Sequence, residues 1–256
     1  FDFGEGFTRR MVGRLSAACI ANSRAVADEY APCLGNVVPE VVYNSVEMTS
    51  DGEDESHETP WRHEGAIRCM VVGRIHPTKG QEDAIRAMAQ LDRAHIPAEL
   101  SLMGRADPDD REHVQRMIHE HRLTDRVHLL PFSDRFASLM DTTDVLLVCS
   151  RREAFGRVAV EAMKLGKPVI GTSSGGIPEI VQHGTTGFLY PPGEIDELAA
   201  RIGELHGNPT VRRSMGEAGR RIADSRFTSA NYGRDVEKIL RRVIDRAHGE
   251  PGSSPG

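Results

Sequence analysis

From Ile67 to Pro191 the chain alternates short apolar runs with longer segments in which apolar residues recur at helical spacing. Short runs rich in valine, isoleucine and leucine are typical of strands buried on both faces of a parallel sheet. The predicted strands are Ile67–Val72, Ala98–Met103, Val127–Leu130, Val145–Cys149, Pro168–Ile170 and Gly187–Tyr190. The helices predicted between them are Gln81–Ala94, Asp109–His121, Phe136–Thr142, Gly156–Leu165 and Ile177–Gln182. The pattern therefore predicts an α/β fold in which helices flank a Rossmann-like parallel sheet.

The N-terminal part of the chain has a different pattern. Residues 1–48 contain two helical stretches, Phe7–Ala18 and Ser23–Tyr30, and one extended stretch, Val37–Tyr43. This region has too few strands for an independent sheet. Residues 49–66 are acidic and polar, so they are predicted to be a linker or loop.

The C-terminal part is predicted to be helical. Its helices are Glu194–His206, Val211–Ala223 and Ser229–Ala247. We therefore assign residues 67–228 to the main domain and residues 229–248 to a final helix. Residues 249–256 are rich in glycine, proline and serine and are predicted to be a disordered tail.

Composition excludes several classes of protein. The 256 residues are 39% hydrophobic and 27% charged, and 32 Lys+Arg against 38 Asp+Glu give a net charge of -6. No apolar run approaches the roughly 18 residues of a membrane-spanning helix. The net negative charge argues against nucleic acid as a partner. The four cysteines form no C-x-x-C pair and are predicted to be reduced thiols, which favours a cytoplasmic protein.

The loop after the first main strand carries two cations between glycines. It runs from Gly73 through Arg74 and Lys79 to Gly80 and leads directly into a helix. Glycine allows the backbone to approach an anion, and arginine and lysine supply charged hydrogen-bond donors. This pattern indicates a phosphate or diphosphate site. The alternative is a polar loop whose cations are merely solvated.

The loop after the fourth main strand contains two glutamates eight positions apart, Glu153 and Glu161. If a helix begins near Gly156, Glu153 lies in the loop before it and Glu161 lies more than one turn along it. The amides of Ala154, Phe155 and Gly156 would then face an anion, while the carboxylates would accept hydrogen bonds from hydroxyls. The alternative is that both glutamates lie on a solvated face.

Glycines follow two other strands, Gly104 after the second and the pair Gly175 and Gly176 after the fifth. Ligands of open α/β sheets bind at the carboxyl ends of the strands, where these loops converge. A ligand with both phosphates and sugar hydroxyls fits such loops. The pattern therefore indicates a nucleotide-sugar.

These motifs, taken together, resemble the donor-binding half of family 4 glycosyltransferases. The resemblance runs over residues 67–230 and is carried by Val72-Gly73-Arg74, Lys79-Gly80, Gly104, Ser150, Glu153-Ala154-Phe155-Gly156, Glu161-Ala162, Gly175-Gly176-Ile177-Pro178-Glu179 and Gly187-Phe188-Leu189. It implies the C-terminal half of a GT-B fold with a truncated N-terminal domain, of which residues 1–48 are a remnant. It also implies transfer of a sugar from a nucleotide-sugar with retention at the anomeric carbon, without a cofactor or a bound metal.

The resemblance implies a role for each site residue. Arg74 and Lys79 would bind the donor diphosphate, and Glu161 would take the ribose hydroxyls. Glu153 would hold the transferred sugar, so that the catalytic group is Glu153, Arg74 and Lys79. The remaining donor-binding residues would be Gly73, Gly104, Ala154, Phe155, Gly156, Gly175 and Gly176, with Phe132 in the loop that contacts the base.

Two other functions stay open at this point, a nucleotide-sugar epimerase of GT-B shape and a non-catalytic nucleotide-sugar-binding module. The acceptor, whether a glycan, a lipid or a small molecule, is not specified by these residues. The segment Phe7–Leu15 carries three arginines beside apolar residues, so it could touch an anionic membrane surface, although a core-facing helix explains it as well. We expect the chain alone to be incomplete and inactive in transfer.

Overall fold

The computed structural model describes residues 15–48, 59–133 and 136–248, together with Met11 and Gly13. The predictions for Phe7–Leu15, for most of the linker and for the tail at residues 249–256 fall wholly or largely outside the described residues.

The elements follow the order predicted for an α/β chain. The strands are β1 (Ile20–Ala21), β2 (Glu40–Val41), β3 (Ile67–Val72), β4 (Ala98–Met103), β5 (Val127–Leu130), β6 (Val145–Val148), β7 (Val169–Thr172) and β8 (Gly187–Tyr190). The helices are α1 (Arg24–Tyr30), α2 (Gln81–Arg93), α3 (Pro108–Glu120), α4 (Phe136–Asp141), α5 (Arg157–Lys164), α6 (Ile177–Ile180), α7 (Ile195–Gly207), α8 (Pro209–Arg226) and α9 (Ser229–Ala247). Short 3-10 turns lie at Ala31–Cys33 and Pro77–Lys79.

The predicted parallel sheet is confirmed. Its six strands lie in the order β5-β4-β3-β6-β7-β8, and every neighbouring pair is parallel. One strand is longer than predicted, because β7 continues through Gly171 and Thr172, which pair with Leu189 and Tyr190 of β8. The strands are predicted from apolar runs, and Gly171 and Thr172 lie beyond the apolar run of β7.

Both faces of the sheet are covered. Cys69, Val71 and Leu147 belong to a core that also includes buried residues of α2, α3 and α7. The alternate residues Met70 and Leu146 are equally buried, as expected for strands with helices on both sides. The continuous apolar character of these strands follows from this double burial.

The buried cysteines act as small hydrophobic residues. Cys69 and Cys149 are free thiols in the strand region of the core. Burial raises the pKa of Cys149 to about 12 and raises that of Cys69 further. Both therefore stay protonated at neutral pH.

The order of the strands creates a switch point in the sheet. From β3 the chain proceeds outward through β4 to β5, and it then returns to the other side of β3 to form β6, β7 and β8. The loops that follow β3 and β6 therefore diverge to opposite faces of the sheet. In open α/β sheets the crevice between two such loops is where ligands bind.

The loop before β3 is held against the sheet. The indole Nε1 of Trp61 donates to Oγ1 of Thr142 at 2.8 Å, and the backbone amides of Arg62 and His63 donate to the buried carboxylate of Glu99. The described end of the predicted linker is therefore a fixed loop.

The chain divides into two compact units. One contains the described parts of Phe1–Glu47 and Arg226–Gly256, and the other is Met48–Ser225, which holds the whole six-stranded sheet. In the first unit β1 and β2 pair in parallel, and Arg242 of α9 forms an ion pair with Glu40 of β2. The final helix thus belongs with the N-terminal strands. Within the described residues no helix is long and apolar enough to cross a membrane.

Candidate functional site

A cavity of about 250 Å³ opens at the switch point, where β3 and β6 end. Its lining residues are Val71, Val72, Gly73, Lys79, Leu147, Val148, Cys149, Ser150, Glu153, Gly156, Arg157, Val158 and Glu161. The strand ends supply most of the apolar lining, and the loops and α5 supply the charged groups. The structure therefore brings five of the predicted site residues, Gly73, Lys79, Glu153, Gly156 and Glu161, to one cavity.

A lysine and a glutamate meet at this cavity. The Nζ of Lys79 lies 2.7 Å from Oε2 of Glu153, and the hydroxyl of Ser150 donates to the same carboxylate oxygen at 3.0 Å. The two charged side chains are 34% and 21% exposed, so both remain accessible to a ligand. A cation and a carboxylate thus stand side by side at the cavity.

Helix α5 begins at the cavity, as predicted. Gly156 is the residue before it and has φ of 98°, and Glu161 lies on the first turns of the helix. The Nε of Arg157 lies 2.7 Å from Oε1 of Glu161, one helical turn away. The N-terminus of an α-helix attracts anions, because its first amides have no partner within the helix. A carboxylate has about four acceptor positions, so Glu161 can accept hydrogen bonds from hydroxyls beside its pair with Arg157.

Seven predicted site residues lie outside this lining, and three of them, Arg74, Gly104 and Phe132, stand in the loops after β3, β4 and β5. The guanidinium of Arg74 contacts Oδ2 of Asp107 at 2.7 Å, and both side chains are largely exposed. Phe132 is also exposed, and the guanidinium of Arg105 lies 5.4 Å from the centre of its ring. Gly104 is buried beside the backbone of Gly73. Arg74 and Phe132 are thus near the carboxyl edge of the sheet but are not gathered around the cavity.

Gly175 and Gly176 pack against the loop that carries Glu153. Gly175 has φ of +59°, and a Cβ there would lie 2.1 Å from the carbonyl oxygen of Glu153. The amide of Gly176 donates to that same oxygen at 2.8 Å. Phe155 is a buried residue of the same loop, and Ala154 lies beside Gly176. These four residues lie outside the cavity lining and shape the loop that presents Glu153.

Sequence analysis did not assign four polar or half-buried lining residues, Val72, Ser150, Arg157 and Val158. Ser150 stands two residues after the end of β6, so its place after a strand at the sheet edge could have indicated it. Arg157 and Glu161 stand four positions apart, a spacing at which side chains on a helix meet. Val158 has no such signal, because an apolar residue on a helix is ordinarily assigned to the core.

The site has the groups needed to hold a phosphorylated polyol. The ammonium of Lys79 and the start of α5 suit an anion, whereas Glu153 and Glu161 suit hydroxyls. In the part of the chain that the structure describes, no three histidine, cysteine, aspartate or glutamate side chains gather as metal ligands would.

The sequence matches the family model described as glycosyl transferases group 1 over residues 53–222. The chain is 32% identical over 173 residues to an N-acetyl-alpha-D-glucosaminyl L-malate synthase of Bacillus anthracis, covering 68% of this chain and 45% of that protein. It is 29% identical over 189 residues to an MMP alpha-(1->4)-mannosyltransferase of Mycolicibacterium hassiacum, covering 72% of this chain and 45% of that protein. The chain thus spans about half the length of these curated relatives.

Solved structures have the same fold. Anabaena Alr3699/HepE, crystallised with UDP and glucose, superposes with a TM-score of 0.81 at 29% identity, over 92% of this chain and 66% of that one. The same protein with UDP-glucose superposes with a TM-score of 0.80 at 27% identity, over 91% and 66%. The sheet and its flanking helices match the Rossmann-like architecture of GT-B glycosyltransferases. Because the family model covers more than half of the sequence, the chain belongs to the glycosyl transferases of group 1.

Proposed function

We propose that the chain is the donor-binding part of a retaining glycosyltransferase of family 4. In this proposal the donor is a nucleotide-diphospho-sugar, and the acceptor is a hydroxyl of a glycan, a lipid or a small molecule. The observation that carries the proposal is the contact of Lys79 with Glu153 in a cavity at the switch point of the sheet.

The diphosphate of the donor binds to Lys79 and to the amides at the start of α5. A lysine ammonium has three donors, and in this structure one of them is taken by Glu153. The others are available for phosphate oxygens. Arg74 adds a second cation when its guanidinium leaves Asp107.

The hydroxyls of the donor bind to the two glutamates. Glu161 accepts hydrogen bonds from the ribose, and Glu153 accepts them from the transferred sugar. The base lies toward Phe132, on which an aromatic ring can stack. That UDP and glucose occupy the related Alr3699/HepE structure supports a ligand of this class.

In the reaction the bond between the anomeric carbon and the diphosphate oxygen breaks, and a bond to the acceptor oxygen forms on the same face of the sugar. The hydroxyl proton of the acceptor goes to the departing nucleoside diphosphate. Negative charge grows on the departing diphosphate, so Lys79 and the N-terminus of α5 stabilise the transition state more than the ground state.

Calorimetric titration of the chain with UDP, GDP and ADP and with their glucose conjugates tests donor binding. We expect one nucleotide to bind clearly more tightly than the others, and no binding of any of them overturns the proposal. Retention is tested by proton NMR of the glycoside that a protein combining this chain with an acceptor-binding domain forms from an α-linked donor. An α-glycoside is expected, and a β-glycoside contradicts retention.

A further inference from the structure

A buried carboxylate lies in the first turn of α2, the helix that follows Lys79. Asp83 in the first turn of α2 is 1% exposed, and its Oδ1 accepts a hydrogen bond from the guanidinium of Arg151 at 3.1 Å. Its Oδ2 has no hydrogen-bond partner among the described atoms. Burial raises the pKa of Asp83, and the charge of Arg151 opposes that effect. A half-satisfied buried carboxylate costs folding free energy, so its presence calls for a functional reason.

Arg151 joins the two loops of the switch point. It follows Ser150 at the end of β6 and therefore stands in the same loop as Glu153. Its backbone amide donates to the carbonyl of Thr78 at 3.0 Å, while its side chain reaches Asp83. Arg151 thus contacts both the 3-10 turn before α2 and the first turn of α2.

These two contacts lie on either side of Lys79. Thr78 precedes Lys79, and Gly80 follows it with φ of +68°. A Cβ at Gly80 would lie 2.1 Å from the carbonyl oxygen of Cys149, so this backbone directly contacts the residue that follows β6. The backbone of Lys79 is therefore fixed relative to the loop of Glu153.

We propose that Arg151 and Asp83 are positioning residues, which hold the backbone of Lys79 so that its ammonium meets the donor diphosphate. The lysine side chain has four rotatable bonds, and an anchored backbone limits the region that its ammonium reaches. Its Nζ stands 2.7 Å from the carboxylate of Glu153, which fits such an anchor. This inference rests on the proposed function, because it assigns a partner to Lys79 in that site.

A merely structural ion pair would behave differently. Removing it would lower the melting temperature and leave nucleotide affinity unchanged. If the pair positions Lys79, the variant Asp83→Leu should instead keep its melting temperature and bind the nucleotide more weakly. That change replaces a buried carboxylate by an apolar side chain of similar size, while Arg151 is 50% exposed and keeps its charge in water. We expect a melting temperature no lower than that of wild type, together with weaker UDP binding.

The test is a calorimetric titration of the full chain with UDP, or with GDP or ADP if wild type binds that nucleotide more tightly, combined with a cycle of variants. Arg151→Met is expected to weaken UDP binding about tenfold, and Arg151→Lys, which keeps a charge, is expected to lie closer to wild type. In a Lys79→Met background Arg151→Met should have no further effect, because its effect acts through Lys79. Arg116→Met, which removes an exposed pair with Glu112, is the matched control and should bind like wild type.

The possible outcomes separate the two proposals. Wild-type affinity in both Asp83→Leu and Arg151→Met overturns the positioning role, and so does an Arg151→Met effect that adds fully to that of Lys79→Met. If Arg151→Met fails to fold, Asp83→Leu and Arg151→Lys decide by the same readout. If wild type binds none of UDP, GDP and ADP, the proposed function fails and this inference fails with it.

Discussion

The ammonium of Lys79 lies 2.7 Å from the carboxylate of Glu153, although the two residues are 74 positions apart in the chain. They follow β3 and β6, which are neighbours in the sheet because the chain crosses back over β3. Their meeting is therefore a consequence of topology. A cation for phosphate and an acceptor for hydroxyls at one point fit a ligand in which a sugar is joined to a diphosphate.

Arg74 is predicted to bind the diphosphate only after it leaves Asp107. Arg74→Ala should weaken UDP binding, by up to about tenfold for an exposed cation. Asp107→Asn should tighten it, since the guanidinium no longer has a competing partner. Calorimetry on both variants checks this. If both variants bind UDP as wild type does, Arg74 has no part in phosphate binding.

The two glutamates are predicted to act on different parts of the donor. Glu161→Gln should weaken UDP and UDP-glucose alike, because the ribose is present in both. Glu153→Gln should weaken binding of UDP-glucose but not of UDP. The change also frees Lys79 from its carboxylate partner, which should favour binding of the bare nucleotide. Paired titrations of each variant with the two ligands decide the matter. An equal loss for both ligands in Glu153→Gln contradicts this division of roles.

The strands were predictable because they are buried on both faces of the sheet. Such strands are continuous apolar runs, in which polar and apolar residues do not alternate. Val145–Val148 and Ile67–Val72 are apolar almost throughout and could be recognised without their partners. The start of α5 was predictable from a local signal in the sequence, a glycine directly before the helical pattern. In the structure Gly156 has a positive φ, which glycine adopts readily. Glu153 and Glu161 were then assigned to the loop and the helix that the structure shows.

The pairing of side chains was not predictable in the same way. The ion pair of Arg74 with Asp107 joins loops after β3 and β4, and that of Arg151 with Asp83 joins the loop after β6 to α2. Neither pair has a sequence spacing that would indicate it. Gly175 was expected to line the pocket, and its close approach to the backbone of Glu153 depends on loop geometry that the sequence does not specify.

Donor binding is predicted to be independent of divalent cations. Lys79 and the N-terminus of α5 would neutralise the diphosphate, and the Asp-x-Asp pair of the sequence, Asp107-Pro108-Asp109, lies outside the cavity lining. The Kd for UDP should be the same in EDTA and in magnesium or manganese chloride. Loss of binding in EDTA, restored by a divalent cation, would show that a metal is required.

The buried carboxylate of Glu99 is predicted to make folding stability depend on pH in the acidic range. Burial alone would raise its pKa, but hydrogen bonds from His128 and from the amides of Arg62 and His63 bring it below the ordinary value of 4.5. A carboxyl group whose pKa is lower in the folded state than in the unfolded state stabilises the folded protein at pH values above the unfolded pKa. This stabilisation is lost as the pH falls through the folded pKa.

Thermal unfolding at pH values from about 6 down to about 3 measures this effect. We expect the melting temperature of wild type to fall steadily below the ordinary pKa of the carboxyl group. Glu99→Gln should be less stable than wild type at neutral pH, by about 1–3 kcal/mol, and its melting temperature should fall less on acidification. A parallel decline in wild type and variant would assign the pH dependence to other groups.

The central claim is that Lys79 binds the diphosphate of a nucleotide at the switch-point cavity. The most direct test is calorimetric titration of UDP, GDP and ADP into wild type, Lys79→Ala and the control Lys238→Ala, whose lysine is exposed on α9. Loss of a charged contact of about 1.5–3 kcal/mol predicts that Lys79→Ala binds the preferred nucleotide about ten- to a hundredfold more weakly, with Lys238→Ala like wild type. Equal affinity in wild type and Lys79→Ala would contradict the claim.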